Sequence, residues 1–438
     1  MNSKFSISVK DIRAIKEAEV ELNGITVLSG VNGCGKTTIA KLLFGFIKTS
    51  LNFDTVISDL YTDELSFATS FLRDFVPTDK NNFLEEDTID YYTVGANLPR
   101  ILQKMTAEKY ISDVIIPRIK MICQKYKEEE FTITKTAYTR LSRLYKEHVR
   151  KIEATTAIEL LTDYESYLLD IVNEISNLNI NHDLKVYNNQ FAKYFNENPD
   201  KWNYTFKEFD SNLIDKRNKS VTLQKSFSDV LYVDVPTMFD SDVFRRELIH
   251  SDLLMALRKE RELKENASIS KIFEDTIQGK ISRKEDMFSR IFMYTAKNGQ
   301  SIPLSQAASG LKCFAVLERL YANGYLKEDS LLIVDEPEVH LHPKWIVEYA
   351  RVLVYIQKYL HTTILIASHN PDMISAIKYI SEKEKIADSL TFYIADEVES
   401  EGFGKYKFKN LGTDIEEIFS SFNIALDRIS QYGALEDE

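Results

Sequence analysis

Eight residues, Gly30-Val31-Asn32-Gly33-Cys34-Gly35-Lys36-Thr37, fit the spacing GxxxxGK[ST]. Glycines at such spacing let successive backbone N–H groups converge on one point, and a helix that starts there adds its positive partial charge. A lysine in this place reaches the β- and γ-phosphates of a nucleotide, and the following hydroxyl ligates Mg²⁺. Asn32, Gly33, Cys34, Gly35, Lys36, Thr37 and Thr38 are therefore the candidate phosphate cradle, with Thr37 a candidate metal ligand.

A second group of residues supplies what such a cradle lacks. Leu331-Leu332-Ile333-Val334-Asp335-Glu336 is an apolar run ending in two carboxylates. On a buried strand both acids would emerge at its C-terminal edge. Asp335 would hold the metal's hydration shell, and Glu336 would orient and polarise the attacking water. Taken alone, the pair would be a solvated strand end; beside a phosphate loop it reads as catalytic. His369 closes the next apolar run, Ile364-Leu365-Ile366-Ala367-Ser368-His369, and would reach the same edge if the two strands are neighbours. There it could donate a hydrogen bond to a γ-phosphate or to the water; otherwise it is a surface-loop histidine. Ser309-Gly310, before the apolar stretch from Cys313 to Leu320, is a further anion-binding helix start, although an isolated Ser-Gly pair is most often a simple cap.

The elements that must position these groups can be read from periodicity. Phe5–Val9 and Glu19–Leu22 alternate as strands, Asn23-Gly24 turns the chain, and Ile25–Ser29 is a short buried strand ahead of a helix over 37–47. From residue 63 to about 225 the pattern is mostly helical and rich in Lys and Glu. Strand Val230–Val233 follows, then a hairpin turning at Asn298-Gly299 between Phe292–Thr295 and Ser301–Leu304. Beyond it alternate strand 331–334, helix 344–359, strand 363–367, helix 372–379, strand 390–394, a short strand 406–409 and a helix from about Asp414. This order predicts an α/β fold with a mainly parallel, doubly covered sheet. Internal repeats, low-complexity tracts and sustained heptads are missing from the sequence, so no long coiled-coil arm is expected.

The order of phosphate loop, Ser-Gly signature, apolar Asp-Glu strand and Ser-His resembles an ABC-type ATPase of the SMC-like branch. Asp335-Glu336-Pro337-Glu338-Val339-His340-Leu341-His342-Pro343 and Ser368-His369-Asn370-Pro371-Asp372-Met373 are similar to stand-alone ATPases of bacterial anti-phage defence, among them Septu-type ATPase subunits, retron-associated ATPases and OLD-like proteins. The resemblance covers roughly the first 50 and last 200 residues. It implies a P-loop ABC-type ATPase core from 1–50 and 228–438 with a large helical insertion at 51–227, ATP and Mg²⁺ as ligands, and Glu336 and His369 as catalytic residues. It also implies ATP held between two copies, with Ser309 and Gly310 of one capping the nucleotide of the other. The active unit is then a homodimer or higher homo-oligomer that controls a separate effector, an HNH nuclease or a toxin. Two departures stand out. Leu311-Lys312 follow Ser309-Gly310 where the family has a further glycine and Gln or Glu, and neither Gln103 nor Gln124 is singled out as the glutamine of the loop to the insertion.

Composition bounds the remaining readings. The 438 residues are 44% hydrophobic and 28% charged, and 55 basic against 67 acidic residues leave a net charge of −12. That excludes a protein coating nucleic acid over its whole surface but permits a local basic groove. One candidate is Lys135, Arg140, Arg143, Lys146, Arg150 and Lys151 with Tyr138 and Tyr145 between them; a solvated helix face is the alternative that this balance favours. A second cluster, Arg258, Lys259, Arg261 and Lys264, is nearly cancelled by Glu260, Glu262 and Glu265. No leader or membrane-spanning segment is evident, and Cys34, Cys123 and Cys313 form no CxxC pair, so a reduced, cytoplasmic protein is expected. His340 and His342 form an HxH without evident further ligands for a metal, and the resemblance implies a place at a subunit junction instead. Cys34 at a helix N-terminus could carry a lowered pKa, with a tolerated small residue the plainer reading. Nuclease motifs of HNH or Toprim type are not seen. An SMC-like DNA-repair ATPase, a transport ATPase and a scaffold with negligible turnover are the rivals to a defence switch.

Overall fold

The computed structural model describes residues 5–73, 75, 98, 101–102, 105–128, 132–151, 154–234, 248–262, 265–286, 289–398 and 404–420. Gln103, Lys264 and the C-terminal helix beyond residue 420 lie outside them. The chain forms two compact units, one of Met1–Leu51, Tyr187–Asn218 and Thr222–Glu438, the other of Asn52–Val186 and Lys219–Val221.

The strands are β1 (Phe5–Ile12), β2 (Ile15–Leu22), β3 (Ile25–Ser29), β4 (Asn203–Glu208), β5 (Ser211–Asn212), β6 (Ile214–Asp215), β7 (Ser220–Val221), β8 (Asp229–Val233), β9 (Gly279–Asp286), β10 (Ser289–Ala296), β11 (Ser301–Pro303), β12 (Ser330–Asp335), β13 (Thr363–Ser368), β14 (Leu390–Glu397) and β15 (Tyr406–Gly412). Ten of them make one sheet in the order β5-β4-β1-β2-β15-β14-β3-β13-β12-β8. Its half from β14 to β8 is wholly parallel. Strands β3, β8 and β12 are buried at every position, as strands covered on both faces must be. Successive side chains alternate between faces. Val27, Leu231, Val334, Ile366 and Phe392 join a core with the helices Ser309–Ala322, Pro343–Leu360 and Pro371–Lys383. Tyr232, pointing the other way, meets Phe44 of the helix Lys36–Leu51 edge-on, with centroids 5.7 Å apart. The α/β expectation thus holds, with the parallel half carrying the phosphate loop and an antiparallel wing of β1, β2 and β4 beside it.

Two strands were not legible in the sequence. The span to about residue 225 is mostly helical as expected but also holds β4, which pairs with β1 in the large sheet. Asn203–Glu208 alternates Tyr204 and Phe206 inward with polar residues outward, a strand signal in a segment too short to stand out. Strand β9, which pairs with β10, was also missed. Among its described side chains only Ile281 is buried, too little to show a period. The hairpin at Asn298-Gly299 forms as expected, Gly299 taking φ +87°.

The second unit is helical, with Phe53–Leu60, Thr62–Arg73, Ile116–Lys127, Lys135–His148 and Ala157–Asn181 its longer members. Phe71, Tyr145 and Tyr164 stack edge and face in its core. The longest helix among the described residues, Ala157–Asn181, is 25 residues long and starts in a capping box between Thr156 and Glu159. Among the described residues no helix is long and apolar enough to cross a membrane.

Candidate functional site

Parallel pairing fixes where the chemistry-bearing residues meet. Ser368 lies opposite Ser29, and Ala367 opposite Asp335, so the ends of β3, β13 and β12 finish side by side. The phosphate loop leaves β3, the Ser-His pair ends β13 and the two acids end β12, all at the carboxyl edge where open α/β sheets bind ligands.

Within the loop, Gly33 holds φ +84°, and a Cβ there would meet nothing within 4 Å. The backbone at Gly33 thus borders open space. Gly35 holds φ +106°, and its Cβ would stand 2.5 Å from Ile15 Cγ1, so glycine is required by both conformation and space. Lys36, only 4% exposed, folds over the loop and donates to the carbonyl oxygens of Gly30 at 2.9 Å and Val31 at 3.0 Å. The same ammonium stands 3.8 Å from Cys34 Sγ. Burial pushes the Cys34 thiol up, outweighing Lys36, which fits the plainer reading of a small buried residue over a thiol activated by the helix terminus.

Asp335 is 5% exposed. Tyr232 of β8 donates its hydroxyl to Oδ2 at 2.6 Å, and the Thr37 hydroxyl lies against the same carboxylate. Burial raises the Asp335 pKa, with Glu336 and Asp234 adding to the rise; Tyr232 and Thr37 oppose it. Oδ1 is buried with no hydrogen-bond partner in the protein. A hydroxyl and an under-satisfied carboxylate side by side make an oxygen donor set that fits a hard divalent cation completed by phosphate and water. Elsewhere among the described residues no group of three His, Cys, Asp or Glu side chains could hold a metal. His342 caps the helix Pro343–Leu360, its Nδ1 accepting from the Lys344 N–H at 3.4 Å.

Glu336 turns the chain in a left-handed conformation, φ +49° and ψ 51°, and its N–H donates to the Ala367 carbonyl at 2.8 Å. Its half-exposed carboxylate stands 3.7 Å from His369 Nδ1. His369 therefore reaches the expected edge, and its carboxylate neighbours are Glu336 and Glu338. Sequence reasoning missed four contributors: Tyr232, Glu338, and the pair Asp234 and His250, whose Nε2 lies 3.0 Å from Asp234 Oδ1. Glu338 alone carried a signal, its place in the Asp-Glu-Pro-Glu run.

Ser309 is the first residue of the helix Ser309–Ala322; Ala308 occupies the cap and lends no side-chain bond. Gly310 faces Leu341 and Trp345 across ordinary contact distances of 3.6 and 3.7 Å. In the helical unit, Arg150 is engaged by Asp163 at 2.9 Å and Arg143 pairs with Glu147 at 3.8 Å, while Lys135, Lys146 and Lys151 are exposed.

The profile of the AAA ATPase domain family matches residues 5–374, most of the chain, and spans the phosphate loop, the acids and His369. The chain belongs to the AAA ATPase domain family. It is an ATPase, hydrolysing ATP to ADP and phosphate. No curated protein matches it. Among solved structures, the SMC head domain from Thermotoga maritima is similar at 10% identity, 94% of this chain, 99% of that one and a TM-score of 0.36. The Smc head domain of Pyrococcus furiosus, with an extended coiled coil and bound to the C-terminal domain of ScpA, gives 10%, 97%, 98% and 0.34. The cbiO1 protein of Clostridium perfringens, part of an ABC transporter complex, gives 16%, 54%, 78% and 0.28. In this AAA ATPase domain the strands β3, β13 and β12 end side by side at one edge of the sheet.

Proposed function

We propose that the protein is a cytoplasmic ATP-operated switch of the SMC-like kind in antiviral defence, closing as a homodimer or higher homo-oligomer around ATP and setting the state of a separate effector, an HNH nuclease or a toxin. The observation that carries the ATP chemistry is the meeting of Thr37, Asp335, Glu336 and His369 at one edge of three adjacent parallel strands. In this reading residues 32–38 cradle the phosphates, Lys36 exchanging its two loop carbonyls for phosphate oxygens. Thr37 and Asp335 hold Mg²⁺, whose chemistry is to neutralise charge on the phosphates. Glu336 accepts the proton of the attacking water, and His369 donates to the γ-phosphate. Ser309 and Gly310 of a second copy close the site, consistent with a helix start that has no side-chain cap of its own. The defence role rests on the resemblance of residues 335–343 and 368–373 to such ATPases.

Glu336→Gln tests this reading. Loss of the general base lowers turnover about a hundredfold or more, while ATP binding persists and an ATP-dependent dimer accumulates by light scattering. A variant that stays monomeric in saturating ATP, or that hydrolyses at the wild-type rate, refutes the switch. Reconstitution with the product of the neighbouring gene tests the effector arm: ATP should change its activity, and Lys36→Ala should abolish that change. A second reading, direct action on DNA, is favoured by the exposed Lys135, Lys146 and Lys151. It requires ATP-stimulated DNA binding that weakens steeply with salt.

A further inference from the structure

Glu338 is the acid of the Asp-Glu-Pro-Glu run that the ATPase chemistry leaves without a task. It sits two residues past Glu336 in the 3-10 turn Pro337–His340, with its side chain 4% exposed. One oxygen, Oε1, faces three groups at the end of β13. The Ser368 hydroxyl donates at 2.8 Å and the His369 backbone N–H at 3.0 Å. His369 Nδ1 stands 3.3 Å away, close enough for an ion pair but off the line of a formed hydrogen bond. The other oxygen, Oε2, is buried without a partner in the protein.

A carboxylate this deep is held by charge-assisted bonds, and the ring of His369 is the ionisable donor beside it. We propose that Glu338 is the positioning residue of His369, its carboxylate facing Nδ1 and so turning Nε2 toward the γ-phosphate. This rests on the reading of His369 given above. The bonds from the Ser368 hydroxyl and the His369 N–H need only an oxygen acceptor, which an amide supplies as well as a carboxylate. The ring contact needs the charge. An orienting carboxylate behind a functional imidazole is a device that fixes the ring.

The discriminating variant of the full chain is Glu338→Gln. Its carbonyl keeps the clamp on Ser368 and the His369 N–H, and only the charge at Nδ1 is lost. Steady-state ATPase assays should show kcat reduced about ten- to a hundredfold, the span typical of removing an orienting partner, with KM for ATP within about twofold. His369→Ala should lose a similar factor, and the double variant should fall no further than the worse single one, because the two act as a unit. If Glu338→Gln keeps wild-type kcat while His369→Ala loses it, the proposal is overturned and the ATPase reading stands. Losses that multiply in the double variant overturn it as well. Wild-type turnover in His369→Ala overturns the role of His369 itself, and this proposal with it. Should Glu338→Gln fail to fold, Glu338→Asp serves. It retracts the carboxylate by one methylene, so reduced kcat at unchanged KM supports the proposal and unchanged kcat overturns it.

Discussion

Tyr232→Phe is the sharpest probe of how the buried carboxylate of Asp335, the proposed metal ligand, is held. The substitution removes one oxygen and leaves the ring against Phe44. What is lost is a 2.6 Å hydrogen bond to Asp335 Oδ2 in a buried site. Hydrogen bonds to charged groups contribute about 1.5–3 kcal/mol, and little offsets the loss, because Oδ1 already has no partner in the protein. Both tryptophans, Trp202 and Trp345, belong to the unit that holds the site, so their fluorescence during urea unfolding reports that unit. At a denaturant slope near 3 kcal/mol per M, the midpoint should fall by about 0.5–1 M in chelator. The loss depends on Asp335 being ionised. Its folded pKa is raised by burial, so the carboxylate is a stability burden that grows as pH rises through that value and is absent below the ordinary aspartate range. Removing the phenol enlarges that burden; the deficit of Tyr232→Phe should be full at pH 8 and shrink on acidification. Mg²⁺ with ATP should narrow it, since bound cation stabilises the same oxygens. A midpoint unchanged within error at pH 8 refutes the reasoning, as does a deficit that grows toward low pH.

Three further outcomes follow from particular side chains. Gly35→Ala forces a Cβ to 2.5 Å from Ile15 in a left-handed backbone and should abolish ATP binding in a filter assay while lowering stability by about 1–3 kcal/mol; retained ATP affinity would count against the loop geometry. Burial lifts the Glu318 carboxyl to about 7, so its share of stability is whole below about 4.5 and is lost as pH rises through 7. Glu318→Gln should accordingly raise the melting temperature at pH 8 and not at pH 4, and an equal gain at both refutes the shift. Cys34, fully buried with its thiol pushed up, should react with iodoacetamide at pH 7.5 far more slowly than a free thiol until the protein is unfolded, as mass spectrometry of labelled peptides would show.

Legibility tracked how local the cause was. The phosphate loop and the acids after β12 could be read from the chain, because their chemistry demands fixed residue types beside each other. His369 was found for a related reason: it ends an apolar run, and parallel strands finish at one edge. Tyr232 could not be found. It is one aromatic in the buried strand Asp229–Val233, and its hydroxyl meets Asp335 only because β8 pairs with β12. The role of Glu338 likewise depends on β12 lying next to β13, a long-range fact. For Cys34 the sequence left two readings, and the depth of burial that decides between them was not visible in it.

The residues at this edge share a feature that packing does not reward. Asp335 keeps a bare buried oxygen, Glu338 keeps another, and Glu336 holds a left-handed backbone that costs a non-glycine residue about 1 kcal/mol or more. Lys36 spends its ammonium on carbonyls of its own loop. A sequence selected for stability alone would replace these acids. In the reading proposed above, these acids and the Lys36 ammonium are the complement of a polyphosphate bound with a divalent metal. Neutralising Asp335 by Asp335→Asn should therefore stabilise the ligand-free protein at pH 8 while removing its stabilisation by Mg²⁺ and ATP. The two effects have opposite signs, and a variant that loses stability in both states would show that the acid is held for the fold and not for the ligand.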